Sequence, residues 1–164
     1  MDAQDQLATT QDHLLGGLVI TAETSDDAAR ALHELAAAEL EFVFAARERE
    51  ATDLVLVART GGNAVGFIAA GDADGRTVLW EHLVVPDYHH RGIGRALLHH
   101  LALGLAASDV IVIDPIGTYD PERLADYYRA CGFGLDPATG QMQGRAGVVA
   151  EAVAPPSPAL PHGS

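Results

Sequence analysis

Three apolar runs, LVLVAR (54–59), AVGFIAAG (64–71) and TVLWEHLVV (77–85), follow one another with only TGGN and DADG between them. Short runs rich in valine and isoleucine, separated by glycine-containing pairs, predict three strands joined by tight hairpin turns. An earlier run, LLGGLVITAE, predicts a strand before them. Between these regions the period changes. Ser25 can cap a helix over 26–40 that carries Leu32, Leu35, Ala36 and Leu40 on one face, and 42–50 continues as a second short helix.

After the third hairpin strand the helical period returns over 92–107, followed by a strand at VIVI, 110–113. Asp120 and Pro121 stand at the N-cap and first-turn positions of a last helix, and Gly132 where a C′ glycine would end it. AGVVAEAV (146–153) predicts a final strand. A meander feeding strand–helix–strand–helix predicts a three-layer α/β/α domain over 14–153, with a mixed central sheet. The polar residues 1–13 and the proline-rich 154–164 predict disordered ends.

Composition narrows the function. The formal net charge is −13, and all ten basic residues are arginine. So acidic a surface repels phosphate backbones, which argues against a nucleic-acid partner and favours a small cationic one. No apolar run is long enough to cross a membrane, and the N-terminus is too polar for a secretory signal. A single cysteine, Cys131, allows no internal disulfide and suits a reducing, cytoplasmic setting.

Against that acidity, HHRGIGR (89–95) concentrates two arginines around two glycines, just where a strand turns into a helix. Glycine lets the backbone approach a ligand, and the first amides of a helix have no internal partners while the helix dipole adds positive charge. That is a phosphate site. A P-loop needs a lysine, which the chain lacks, and a dinucleotide fingerprint needs a third glycine where Leu97 stands.

VVPDYHHRGIGRALL supplies Val84, Pro86, Tyr88, Gly92, Gly94, Ala96 and Leu97 at the spacing of motif A of the GNAT superfamily of N-acetyltransferases, and Tyr127-Tyr128-Arg129-Ala130-Cys131-Gly132-Phe133 resembles the family's F-Y-x-x-x-G-F segment. The resemblance covers about residues 54–134. It implies a sheet splayed between two parallel strands, here 77–85 and 110–113, with acetyl-CoA as co-substrate wedged between them and no metal. Pantetheine would pair with the backbone of Leu83, Val84 and Val85. The pyrophosphate would rest on the turn His89, His90, Arg91, Gly92, Ile93, Gly94 and Arg95. By analogy with relatives, a homodimer is implied. Two positions depart from the pattern: His89 replaces the usual Gln or Arg, and neither Asp120 nor Pro121 supplies the amide found before the last helix in many relatives.

The chemistry sets the remaining requirements. Neutralising a lysine-like amine of pKa 10.4 at pH 7 costs about 4–5 kcal/mol, which a general base offsets. The departing thiolate needs an acid. The motif match and an inward helical face shared with Leu124 and Cys131 point to Tyr128 as that acid, with Tyr127 packing beside it. Glu81 is the candidate base, from a resemblance of Trp80-Glu81-His82 to a strand motif of polyamine acetyltransferases that requires a one-residue slip. His82 is the other candidate, because it titrates near neutrality. His89, His90, His99 and His100 do not converge as a metal site requires, and Cys131 reads as a small core residue. The expected function is acetyl transfer to the primary amine of a small molecule. Two alternatives remain open: a protein or peptide acceptor, and an inactive acyl-CoA-binding module.

Overall fold

The computed structural model describes residues 17–23, 54–88, 91–113 and 121–155. Seven strands form one sheet: β1 (Leu18–Ala22), β2 (Leu54–Thr60), β3 (Asn63–Ala73), β4 (Arg76–Val84), β5 (Val110–Ile113), β6 (Gly134–Leu135) and β7 (Met142–Arg145), in the spatial order β1-β2-β3-β4-β5-β7-β6. The hairpins form where the sequence placed them. Gly61 and Gly62 turn β2 into β3, and Asp74 and Gly75 turn β3 into β4, all with positive φ. Two consecutive left-handed residues give the turn whose twist matches paired strands. All neighbours are antiparallel except β4 and β5, so the α/β domain carries a mixed sheet.

Three helices are described: α1 (Ile93–Leu103), α2 (Pro121–Ala130) and α3 (Ala146–Ala152). α1 buries Ile93, Ala96, Leu97, Leu98 and Leu101. A Cβ built on Gly66 of β3 would lie 3.1 Å from both Ile93 and Leu97, so glycine there lets α1 lie close on that face of the sheet. The predicted helices 26–40 and 42–50, and the disordered ends, lie outside the described residues. Among those described, no helix is long and apolar enough to cross a membrane.

Two expectations need correction. The helix expected over 92–107 stops at Leu103, where Gly104 caps it. The strand expected at 146–153 is helix α3. Ala146, Val149 and Val153 are buried while Val148 is 53% exposed, which is a helical spacing that the valine content concealed. The strand at that edge is instead MQGR, with Met142 buried and Gly144 lying so close to Gly132 and Val149 that a Cβ would meet both at 3.0 Å.

α2 ends as its sequence predicts. Gly132 has φ +96°, its N–H bonds Arg129 O, and the Phe133 N–H bonds Tyr128 O at 3.0 Å. This is the paired Schellman closure, and the Tyr128 and Phe133 rings meet edge-on at 5.5 Å across it. The closure fixes where the Tyr128 backbone sits. Gly132→Ala is therefore expected to cost about 1–2 kcal/mol from the left-handed backbone alone, and more because its Cβ would lie 3.3 Å from Val148 O. Urea denaturation measures this.

Candidate active site

The site grows from the point where β4 and β5 part. Their parallel ladder has two pairs, Thr77↔Ile111 and Val78↔Val112. β3 stays with β4 to Gly66↔Val84, beyond the last described β4–β5 pair, and residues 114–120, which follow β5, lie outside the described residues. Val85 N–H donates to Val65 O at 2.8 Å, which makes Val85–Val65 a hydrogen-bonded pair. Antiparallel pairs alternate, so Leu83 also spends its main-chain groups on β3, whereas His82 and Val84 turn theirs toward the gap. The Val85 carbonyl accepts from Tyr88 N–H.

The glycine turn closes one end of this gap. Gly92 caps α1 with φ 81° and ψ 8°, a left-handed conformation, and no side chain caps the helix. Among the described residues Ala96 N–H donates to Gly92 O at 2.9 Å, and the amides of Ile93, Gly94 and Arg95 stand in the first turn, which no side chain caps. Arg91 and Arg95 are exposed, with the Arg91 guanidinium 4.8 Å over the Tyr88 ring. This donor set, cationic and without a competing side-chain cap, fits a pyrophosphate. His89 and His90 lie outside the described residues.

Gly94 does something different. A Cβ there would lie 2.9 Å from Tyr127 Oη and 3.4 Å from His82 Nε2. The second glycine is the close-packing position that lets α2 dock on the start of α1.

His82 ties three elements together. Its Nε2 is 2.7 Å from Gly94 O in α1, and its Nδ1 is 2.7 Å from Tyr128 Oη in α2. A carbonyl can only accept, so Nε2 carries the hydrogen and donates it; the neutral ring then accepts the Tyr128 O–H at Nδ1. Burial lowers the His82 pKa to about 4, against a smaller upward push from the Gly94 carbonyl. The imidazole is neutral at physiological pH, with both nitrogens engaged.

Tyr128 is 3% exposed. Burial raises its pKa well above the ordinary tyrosine value, helped by Tyr127 and Cys131, so it holds its proton firmly. Tyr127 crosses it edge-on at 5.1 Å and is raised too, first by burial and then by Cys131. Cys131 is fully buried and its thiol is pushed up by burial, which leaves it protonated and unreactive. His99 and His100, on α1, are both lowered by burial. Among the described residues, no three His, Cys, Asp or Glu side chains come together as a metal site would need.

Glu81 stands elsewhere. The β3–β4 register pairs Gly66, Ile68 and Ala70 with Val84, His82 and Leu79, and pairs Phe67 and Ala69 with Leu83 and Glu81. Paired residues share a face. His82 is therefore on the α1 side and Glu81 on the opposite side of the sheet. The slip that the resemblance requires lies between Val85 and Pro86, whereas the irregularity of β4 lies at Trp80, before Glu81. The His82–Tyr128 bond, between residues 46 apart, had no local signal; only the doubled glycine and paired tyrosines hinted at the docking.

Residues 51–134 match the acetyltransferase (GNAT) domain family. Serotonin N-acetyltransferase 2, chloroplastic, of Oryza sativa subsp. japonica is 34% identical over 79 residues, which are 48% of this chain and 38% of that protein. GCN5-related N-acetyltransferase 2, chloroplastic, of Arabidopsis thaliana is 32% identical over 69 residues, 42% of this chain and 26% of its own. The aligned part thus spans well under half the length of these relatives. In fold, the chain resembles the ribosomal-protein-S18-alanine N-acetyltransferase of Escherichia coli, with TM-score 0.60 and 19% identity over 79% of this chain and 94% of that one. It also resembles the PaiA N-acetyltransferase of Thermoplasma acidophilum in complex with coenzyme A, with TM-score 0.58 and 17% identity over 79% and 99%.

The geometry generates two expectations. Because the folded His82 pKa, about 4, lies below the unfolded value of about 6.5, the folded state binds fewer protons. The associated stability is complete above the unfolded value and is lost as pH falls through the folded one. Urea titrations should show the wild type losing more stability than His82→Gln on going from neutral pH to pH 4. Separately, Gly94→Ala should destabilise by about 1–3 kcal/mol through overpacking, and adding Tyr127→Phe, which removes the hydroxyl it strikes, should restore most of that in the same assay.

Proposed function

Because the chain belongs to the GNAT family of acetyltransferases, we propose that it moves an acetyl group from acetyl-CoA to the primary amine of a small molecule, with Tyr128 as acid and Glu81 as base. The observation that carries this reading is the early end of the β4–β5 ladder, with the uncapped glycine turn and Tyr128 Oη both brought to β4. His82 and Val84 lie on β4 past its last described pair with β5, and Ile93, Gly94 and Arg95 place their amides in the first turn of α1. Bound there, acetyl-CoA supplies an activated thioester carbonyl.

The residues divide the proton work by face. Tyr128, on the α1 side, donates its O–H to His82 Nδ1 and would turn that proton to a departing thiolate. Glu81, on the opposite side, takes the proton that an acceptor ammonium must lose, which offsets part of the roughly 4–5 kcal/mol cost of neutralising the amine. His82 is a positioning residue in this scheme. With its pKa near 4 and both nitrogens engaged, it is a poor base at neutral pH, but it fixes the Tyr128 hydroxyl against the first turn of α1. The acidity of the chain and the rice relative's small amine support a small acceptor. The ribosomal-protein acetyltransferase is similar in fold alone.

Calorimetry with acetyl-CoA tests the cofactor site directly. The wild type should bind, and Gly92→Glu should not, because its carboxylate repels the phosphates and its backbone resists the left-handed cap. Tyr128→Phe should keep acetyl-CoA binding but lower kcat with a primary amine by about 100-fold or more. Binding without turnover in the wild type, over a broad amine panel, would make this an acyl-CoA-binding module instead.

A further inference from the structure

The carbonyl of Gly94 accepts the Nε2 hydrogen of His82 at 2.7 Å. That carbonyl is one end of a rigid unit. The peptide between Gly94 and Arg95 is planar, with the carbonyl of residue 94 and the N–H of residue 95 pointing in opposite directions. Holding one end therefore aims the other. Glycine at position 94 makes room for Tyr127, but it also leaves this plane freer to tilt than any other residue would. The plane lies in the first turn of α1, where no side chain caps the helix. The imidazole of His82, reaching across from β4, supplies the restraint that glycine lacks. His82 is held in turn. Tyr128 donates its O–H to Nδ1 at 2.7 Å, which keeps Nδ1 an acceptor and the hydrogen on Nε2, where the Gly94 carbonyl needs it.

Resting on the phosphate reading of the turn above, we propose that His82 is a positioning residue for the cofactor's pyrophosphate: it clamps the Gly94–Arg95 peptide so that the Arg95 N–H faces the phosphate. All the hydrogen bonds of the series run one way, from Tyr128 to His82 and from His82 to Gly94. A phosphate that accepts from Arg95 N–H extends the series in the same direction, and aligned hydrogen bonds polarise and strengthen one another. Arg95 then serves the anion twice, with its main chain through this clamp and with its exposed guanidinium by charge. The same ring that fixes the Tyr128 hydroxyl fixes the phosphate turn. A ligand with a pyrophosphate, but with neither thiol nor acetyl group, is therefore felt at His82.

ADP is such a ligand, and its binding is read without turnover. Calorimetry compares the wild type with His82→Leu, which fills space without a donor, and with His82→Gln, whose side-chain N–H can still reach the Gly94 carbonyl. His82→Leu should weaken ADP binding by about 3- to 10-fold, and His82→Gln should stay near the wild type. In 15N-histidine spectra the ring nitrogens of His82, identified by their absence in His82→Gln, should shift as ADP saturates the wild type. That shift decides the matter even where His82→Leu fails to fold. Ring nitrogens that stay in place at saturation overturn the proposal. So does a folded His82→Leu that binds ADP as the wild type does, or an equal loss in both variants, which would trace the effect to the bulk of the ring and not to its N–H. Failure of the phosphate reading shows differently: the wild type would then bind acetyl-CoA and ADP no more tightly than Gly92→Glu does, and the proposal would fall with it.

Discussion

Among the described residues two pairs hold β4 to β5, and the candidate site lies where that ladder ends. A longer parallel ladder would satisfy the backbone of β4 internally and leave nothing for a ligand to pair with. Stopping it after Val78↔Val112 exposes a strand edge, which is ordinarily a liability. The cost is tolerable because the β3 side of the strand is continuous to Val84 and its apolar side chains are packed against α1. The sheet supplies rigidity on one edge of β4 and access on the other.

What closes the site at one end is a contact among three elements, β4, α1 and α2. His82 donates to Gly94 and accepts from Tyr128, and Gly94 has no side chain to hold Tyr127 away. Each part depends on the others. The neutral imidazole requires burial, burial requires that α2 dock, and docking requires glycine at position 94. The Schellman closure at Gly132 then sets the height of Tyr128 on its helix. The two glycines of the turn thus serve two ends: Gly92 supplies a left-handed cap that opens the first amides, and Gly94 supplies room for a tyrosine.

The bulge at Trp80 separates the two faces chemically. It keeps Leu79 in the core and His82 beside Tyr128, yet it sends Glu81 to the far side. One inserted residue thereby puts His82 and Glu81 on opposite sides of the sheet. An unbulged strand would place Leu79 and His82 on opposite faces and bury one of them wrongly.

Much of this was legible in the chain. Apolar runs divided by TGGN and DADG produced the hairpins, because the turns demand left-handed residues at those very positions. Helical periodicity placed Tyr128 inward with Cys131, and G-x-G marked the phosphate turn. The errors have local causes as well. Valine content disguised α3, whose burial at 146, 149 and 153 is helical, and the polar MQGR strand has only Met142 to declare it. The sequence by itself determined the elements, the turn and the family, since these rest on residues near one another along the chain. Only the tertiary structure decided that His82 is a buried, neutral imidazole bonded to both Gly94 and Tyr128, and that Glu81 lies on the opposite side of the sheet from it. Those outcomes follow from strand register and helix docking, which join residues tens of positions apart and leave no period in the sequence.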